Sequence, residues 1–223
     1  MRTVIAGGHG QIALRLERQL AARGDEVAGL VRNPEHAEDL RAAGAEPVVC
    51  DLESASVEEV AAHLEGADAV VFAAGAGPGS GAARKETVDR AAAVLFADAA
   101  ERAGVRRYII VSSMGADASL TEPPEGMDPV FATYQRAKGE ADDAVRARDG
   151  LDWTVLRPGR LTNEPGTGKV LLGERTGRAE VTREDVAAVL GALLHAPGTA
   201  GLTLELINGS TPVEEAVGAV AGA

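Results

Sequence analysis

Tyr134 and Lys138 stand four residues apart in FATYQRAKGEAD, residues 131–142, a spacing that puts both side chains on one face of a helix. A phenol alone is a poor proton donor or acceptor near neutral pH, and an ammonium close by stabilises its anion. The pair is suited to passing a proton to or from a substrate oxygen. Just upstream, YIIVSSMG (108–115) delivers two hydroxyls, Ser112 and Ser113, where an apolar run ends. Ser113 would hold the substrate oxygen while Tyr134 moves the proton, which fits reduction of a carbonyl by hydride from a dinucleotide. With two tyrosines and three lysines in the chain, the spacing alone also fits a packed tyrosine beside a solvated lysine. Placement in the helix that follows the fifth strand favours the chemical reading.

That dinucleotide would sit on TVIAGGHGQIALRLERQL, residues 3–20. Gly7-x-x-Gly10-x-x-Ala13 lies between a short buried strand and a patterned helix. One glycine permits the tight turn and another lets backbone approach a pyrophosphate, while the helix N-terminus offers free N–H groups to its charge. The third small residue serves close helix–strand packing, which alanine satisfies. Sites that prefer NAD usually carry an acid near the end of the second strand for the ribose 2′-hydroxyl. VAGLVRNP (27–34) has no acid there and has Arg32, whose guanidinium suits a 2′-phosphate. NADP is the expected cofactor, with NAD as the alternative; Arg32 as an ordinary surface charge is the competing reading.

The elements that must position these residues alternate. Strands are expected at 3–6, 27–31, 48–50, 69–73, 107–112 and 154–156, and helices at 11–23, 34–43, 56–64, 82–103 and 130–148. This rhythm predicts an α/β fold: a doubly wound parallel sheet with helices on both faces and ligands at the carboxyl ends of its strands. From about residue 161 the rhythm changes, with short strands near 169–172 and 203–207, a helix over 183–195 and another after Pro212. We read one domain over 1–223, with 161–223 as a small substrate-side extension of it. Two loops are candidates for the pocket. GAGPGSGAARKE (75–86) reads either as a lid or as a disordered surface loop, and GADASLTEPPEGMDP (115–129) as an opposite wall. Residues 161–182 are expected to line the substrate pocket.

Composition narrows the classes. The 223 residues carry a formal charge of −12, with 22 Lys and Arg against 34 acids, which argues against nucleic acid as a partner. One cysteine, Cys50, excludes an internal disulfide and fits a reducing cytoplasm. No apolar run approaches a membrane span and no export segment is evident, so a cytoplasmic protein without a membrane partner is expected. The four histidines lack metal-ligand spacing, so no metal is expected; His9 reads as a turn residue near phosphate. A monomer or a homodimer is expected, and the alanine-rich stretch 91–100 is compatible with burial in the monomer.

The glycine turn, FAAG (72–75), VSS (111–113), Tyr134-x-x-x-Lys138 and LRPGRL (156–161) together resemble the short-chain dehydrogenase/reductase superfamily. More closely, the chain is similar to its atypical NAD(P)H-binding branch, related to NmrA-like and biliverdin-reductase-B-like proteins, and the likeness extends to TREDVAAVL (182–190) and LELINGSTP (204–212). The resemblance implies a Rossmann fold and a cofactor cradle of Gly7, His9, Gly10, Gln11 and Ile12, with Arg32 and Asn33 at the adenosine phosphate. It places Asp51 and Leu52 beside the adenine, Ala73, Ala74 and Gly75 on the ribose and nicotinamide side, Ser112 and Lys138 against the cofactor, and Pro158, Gly159 and Leu161 at the nicotinamide end. Where this branch often has a third glycine, Ala13 stands. The branch also often lacks the tyrosine, which this chain keeps. An NADP(H)-dependent reductase of a small carbonyl or conjugated substrate is the leading expectation. A non-catalytic NAD(P)H sensor and a sugar-nucleotide epimerase are the alternatives.

Overall fold

The computed structural model describes residues 1–77 and 79–222. Six strands follow one another in parallel: β1 (Arg2–Ala6), β2 (Glu26–Val31), β3 (Glu46–Val49), β4 (Ala69–Phe72), β5 (Arg107–Val111) and β6 (Asp152–Pro158). The helices between them are α1 (Gln11–Ala22), α2 (Ala37–Ala42), α3 (Val57–Leu64), α4 (Ala82–Arg84), α5 (Ala92–Ala103) and α6 (Pro129–Arg146). Next come β7 (Arg160–Thr162), β8 (Lys169–Gly173), β9 (Glu180–Thr182), α7 (Arg183–Leu194), β10 (Leu202–Asn208), β11 (Thr211–Pro212) and α8 (Val213–Ala221). The nine-stranded sheet runs β11-β8-β10-β6-β5-β4-β1-β2-β3, and β7 pairs with β9 in a separate two-stranded ribbon.

Alternation along the strands feeds two cores, because successive side chains point to opposite faces. Ile5, Ile109 and Val111 join Leu16 and Leu20 of α1, Val186 and Leu190 of α7 and Val217 of α8 on one face. Val4, Ala6, Tyr108 and Ile110 join Val60 and Leu64 of α3, Phe96 and Ala97 of α5 and Val145 of α6 on the other. Within the alanine-rich stretch 91–100, Ala92, Ala93, Ala97, Ala99 and Ala100 are buried in this second core.

Chain order reverses at β1, whose neighbours are β2 on one side and β4 on the other. A crevice therefore opens above the carboxyl ends of these strands, where such sheets take ligands. Three details differ from the pattern read in the sequence. The expected helix over 82–103 contains a wide π-type stretch, Lys85–Ala91, between α4 and α5, and the expected helix from Pro34 begins as a tight 3-10 turn, Pro34–His36. Residues beyond 161 also extend the main sheet: β10 runs parallel to β6, β8 pairs antiparallel with β10, and β11 pairs antiparallel with β8. Among the described residues no helix is long and apolar enough to cross a membrane.

Candidate functional site

A cleft of about 810 Å³ occupies the crevice, within the size range of small-molecule and cofactor sites. Its floor is the β1–α1 turn. Gly7 takes φ of +79°, and a Cβ there would fall 2.6 Å from Ala74 Cα, so this residue both turns the chain and lets the loop after β4 close on it. Gly10 donates to the Gly7 carbonyl at 2.8 Å, and Gly8 donates to Leu30 O at 3.0 Å, which ties the turn to β2. Gly10 is the N-cap of α1 and brings no side chain to its first N–H groups, nor does an acid stand in the first turn. Those donors stay available to an anion beside Gln11 and Ile12. A dinucleotide pyrophosphate fits this cradle: backbone approaches closely, free N–H groups face the cleft and no carboxylate guards them.

Of the sequence-selected cofactor residues, Gly7, His9, Gly10, Gln11, Ile12, Arg32, Asn33, Asp51, Leu52, Ala73, Ala74, Gly75, Ser112, Lys138 and Leu161 line the cleft. His9 stacks on His36 with ring centroids 3.6 Å apart, and its Nε2 lies 2.8 Å from Asp39 Oδ2. Asn33 caps the 3-10 turn by accepting from Glu35 N at 3.0 Å. Asp51 accepts from Glu53 N at 3.1 Å, a local turn that presents Glu53 to the cleft. Pro158 and Gly159 are not among the lining residues. Pro158 accepts from Met114 N, and Gly159 is pressed so closely on β9's approach that a Cβ would meet Ala179 O at 2.2 Å.

Tyr134 and Lys138 both face the cleft from α6. Asp128, the N-cap of that helix, accepts from Phe131 N at 2.8 Å and Pro129 opens its first turn, so the start of α6 is fixed by sequence. Lys138 is buried, donates to Val111 O at 3.1 Å and lies 3.5 Å from Asp89 Oδ1. Tyr134 is half-buried; its hydroxyl has no hydrogen-bond partner among the described residues, and Lys85 Nζ sits 5.2 Å from its ring centroid. The two serines part company. Ser112 donates to Asp142 Oδ2 at 2.8 Å, an oxygen that Arg157 also engages at 2.8 Å, so its hydroxyl is turned into the protein. Ser113 makes only a long 3.4 Å contact with Met114 O and lies beside the cleft rather than in its lining.

Several lining residues were not singled out from sequence: Glu53, Arg84, Lys85, Asp89, Phe131 and Arg183. Asp89 is the clearest. The π-type stretch buries it with Lys138, and its other oxygen accepts from Ala76 N at 3.3 Å, joining the loop after β4 to α6. A helical period alone does not announce this widening. The two candidate walls also differ from expectation. From 115–129 only Asp128 lines the cleft among the described residues, because that loop is docked on α6, with Asp117 N donating to Gln135 O at 3.1 Å. From 161–182 only Leu161 does so; Asp185 of α7 holds Thr167 N at 3.0 Å and Gly168 N at 2.8 Å, away from the cleft. In the loop 75–86, Gly75, Gly77, Gly79, Ser80, Arg84 and Lys85 line the cleft, while Pro78 lies outside the described residues.

Comparison with known proteins agrees with this geometry. The family model described as NAD(P)H-binding matches residues 7–197. A Bacillus subtilis protein named sugar epimerase YhfK, its activity uncharacterised, is 37% identical over 97% of this chain and 99% of its own. A solved Bacillus halodurans structure, provisionally named an NAD-dependent epimerase/dehydratase, superposes with a TM-score of 0.88 at 36% identity, covering 98% of this chain and 99% of that one. The oxidoreductase ylbE of Lactococcus lactis gives a TM-score of 0.87 at 27% identity, over 100% and 98% of the two chains. The matched span begins at the Gly7 turn and takes in every residue that lines the cleft, and the chain belongs to the NAD(P)H-binding family.

Proposed function

We propose that the chain is an NADP(H)-dependent reductase acting on a small carbonyl or conjugated substrate. The observation that carries this reading is the unpartnered Tyr134 hydroxyl in the same cleft as the Gly7–Gly10 turn, with the buried Lys138 ammonium on the same helix face. The turn and the first N–H groups of α1 would hold the pyrophosphate, and Arg32 the adenosine 2′-phosphate. Bound NADPH supplies the hydride. Tyr134 gives the proton to the substrate oxygen, and Lys138 supplies positive charge that favours the phenolate left behind. Val111 O and Asp89 fix Lys138 in place for this role. Val130 and Phe131, exposed at the start of α6 and lining the cleft, offer an apolar wall suited to a flat substrate.

Consumption of NADPH, followed by its absorbance across a panel of carbonyls, quinones and flavins, tests the proposal. Tyr134→Phe is expected to lower kcat by about a hundred-fold or more with NADPH affinity unchanged. No turnover with any panel member, or a Tyr134→Phe variant as fast as the parent, would sink it. The names of the Bacillus relatives favour a second reading, sugar epimerisation, in which hydride is taken and returned on one substrate. That reading predicts dinucleotide retained through purification and interconversion of sugar epimers with no net NADPH consumption.

A further inference from the structure

We infer that Arg32, Arg84 and Glu53 form a phosphomonoester subsite, in which a dinucleotide's 2′-phosphate takes the place that the Glu53 carboxylate holds between the two guanidiniums. The inference rests on the dinucleotide reading of the cleft and adds to it the residues that choose between NADP and NAD. The three residues come from separate segments: Arg32 from the end of β2, Glu53 from the turn after β3, and Arg84 from α4, at the far end of the loop that follows β4. All three line the cleft.

Their geometry is that of two cations sharing one anion. Arg32 Nη1 and Arg84 Nη2 each donate to the same oxygen, Glu53 Oε2, at 2.8 Å. The other oxygen, Oε1, accepts from Thr87 Oγ1 at 2.6 Å. Neither arginine pairs with any other carboxylate among the described residues. Two positive charges on one negative charge leave the cluster a net cation, and both guanidinium forks are half-used because they converge on a single oxygen. A phosphate dianion carries more charge and three acceptor oxygens, so it satisfies both forks where one carboxylate oxygen does not. The cluster is also within reach, since the side chains of Arg32 and Arg84 are 54% and 40% exposed.

Glu53 then has two roles. Thr87 and the two arginines hold its carboxyl below the ordinary glutamate range, so it is an anion at neutral pH and competes with the incoming phosphate. With a bare ribose in the site it is the acceptor for a 2′-hydroxyl, the acid that VAGLVRNP lacks after β2 and that the fold brings in after β3 instead. Arg84 favours NADP(H), and Glu53 keeps NAD(H) usable.

Calorimetric titration of the full chain with NADPH and NADH, and with adenosine 2′,5′-bisphosphate against 5′-AMP, tests this. Arg84→Gln should weaken NADPH and the bisphosphate by about ten-fold or more, the loss of a charge-assisted hydrogen bond, and NADH by less than about two-fold. Glu53→Gln should tighten NADPH by about three-fold or more and weaken NADH. An Arg84→Gln variant that changes both dinucleotides equally, or neither, overturns the inference, as does a Glu53→Gln variant that loosens NADPH. Arg84→Lys, which keeps the charge, should recover part of the NADPH affinity; no recovery beyond the glutamine variant counts against the phosphate contact. A parent chain that binds neither dinucleotide overturns the cleft reading itself, and this inference with it.

Discussion

Glu17 of α1 has no exposed surface, and neither carboxylate oxygen has a hydrogen-bond partner among the described residues. It fits only because Gly8 and Gly29 leave room: a Cβ on Gly29 would meet Glu17 Oε1 at 2.6 Å. Burial pushes its carboxyl from the ordinary 4.5 up to about 8, with Arg18 opposing. Between those values the folded chain keeps a proton that the unfolded chain releases. Stability therefore falls as pH rises through this window, by up to about 1.4 kcal/mol per pH unit. Urea unfolding of the parent and of Glu17→Gln, at about pH 5 and about pH 8, checks the sign. The parent should lose stability relative to the variant on going to the higher pH, and an unchanged difference would show that Glu17 is ionised in the fold. Tyr134 and Lys138 are legible in the sequence because an i, i+4 pair is visible in any helical stretch, and so are the glycines, which a tight turn requires. Glu53, Arg84 and Asp89 are not, since each gains its meaning from partners 21 or more positions away or from a local widening of the helix.

At the scale of elements, the site depends on how closely α6 and the loops can approach. Gly139 follows Lys138 on α6, and a Cβ there would lie 2.2 Å from Ala118 N and 2.4 Å from the Asp117 carbonyl carbon. Backbone cannot give way as a flexible side chain can. Gly139→Ala is expected to push the loop over 115–128 off the helix and to destabilise the protein by about 2 kcal/mol. Gly218→Ala in α8 is the control, because no atom of the described residues lies within 4 Å of its Cβ; helix propensity alone should raise stability by about 1 kcal/mol. Thermal melts of the two variants should move in opposite directions, and a neutral Gly139→Ala would mean the loop is not docked as described. Strand and helix positions were legible from apolar runs and from glycine stops, and β1, β2 and β4 fall within one residue of the expected bounds. The docking of 115–128 on α6 was not, since a run of Gly, Pro and acids says only that a loop is there, not what it leans on.

At the scale of the whole molecule, the doubly wound sheet follows from the strand–helix rhythm alone, and with it the side on which a ligand must bind. The tail was harder to read. Its short strands gave no hint that β10 would pair parallel with β6 from Leu202 to Leu206, or that α7 would cover α1 in the first core. Those long-range pairings leave no local signature, because parallel partners are separated by a full crossover. The sheet and the glycine turn form a cleft for an NAD(P)H dinucleotide, and the arginine pair is the ground on which we propose the phosphorylated one. One calorimetric titration of the unmodified chain with NADPH and NADH in parallel tests this. Saturable binding of NADPH to one site per chain, tighter than that of NADH, is the expected result; binding of neither, or a preference for NADH, would contradict it.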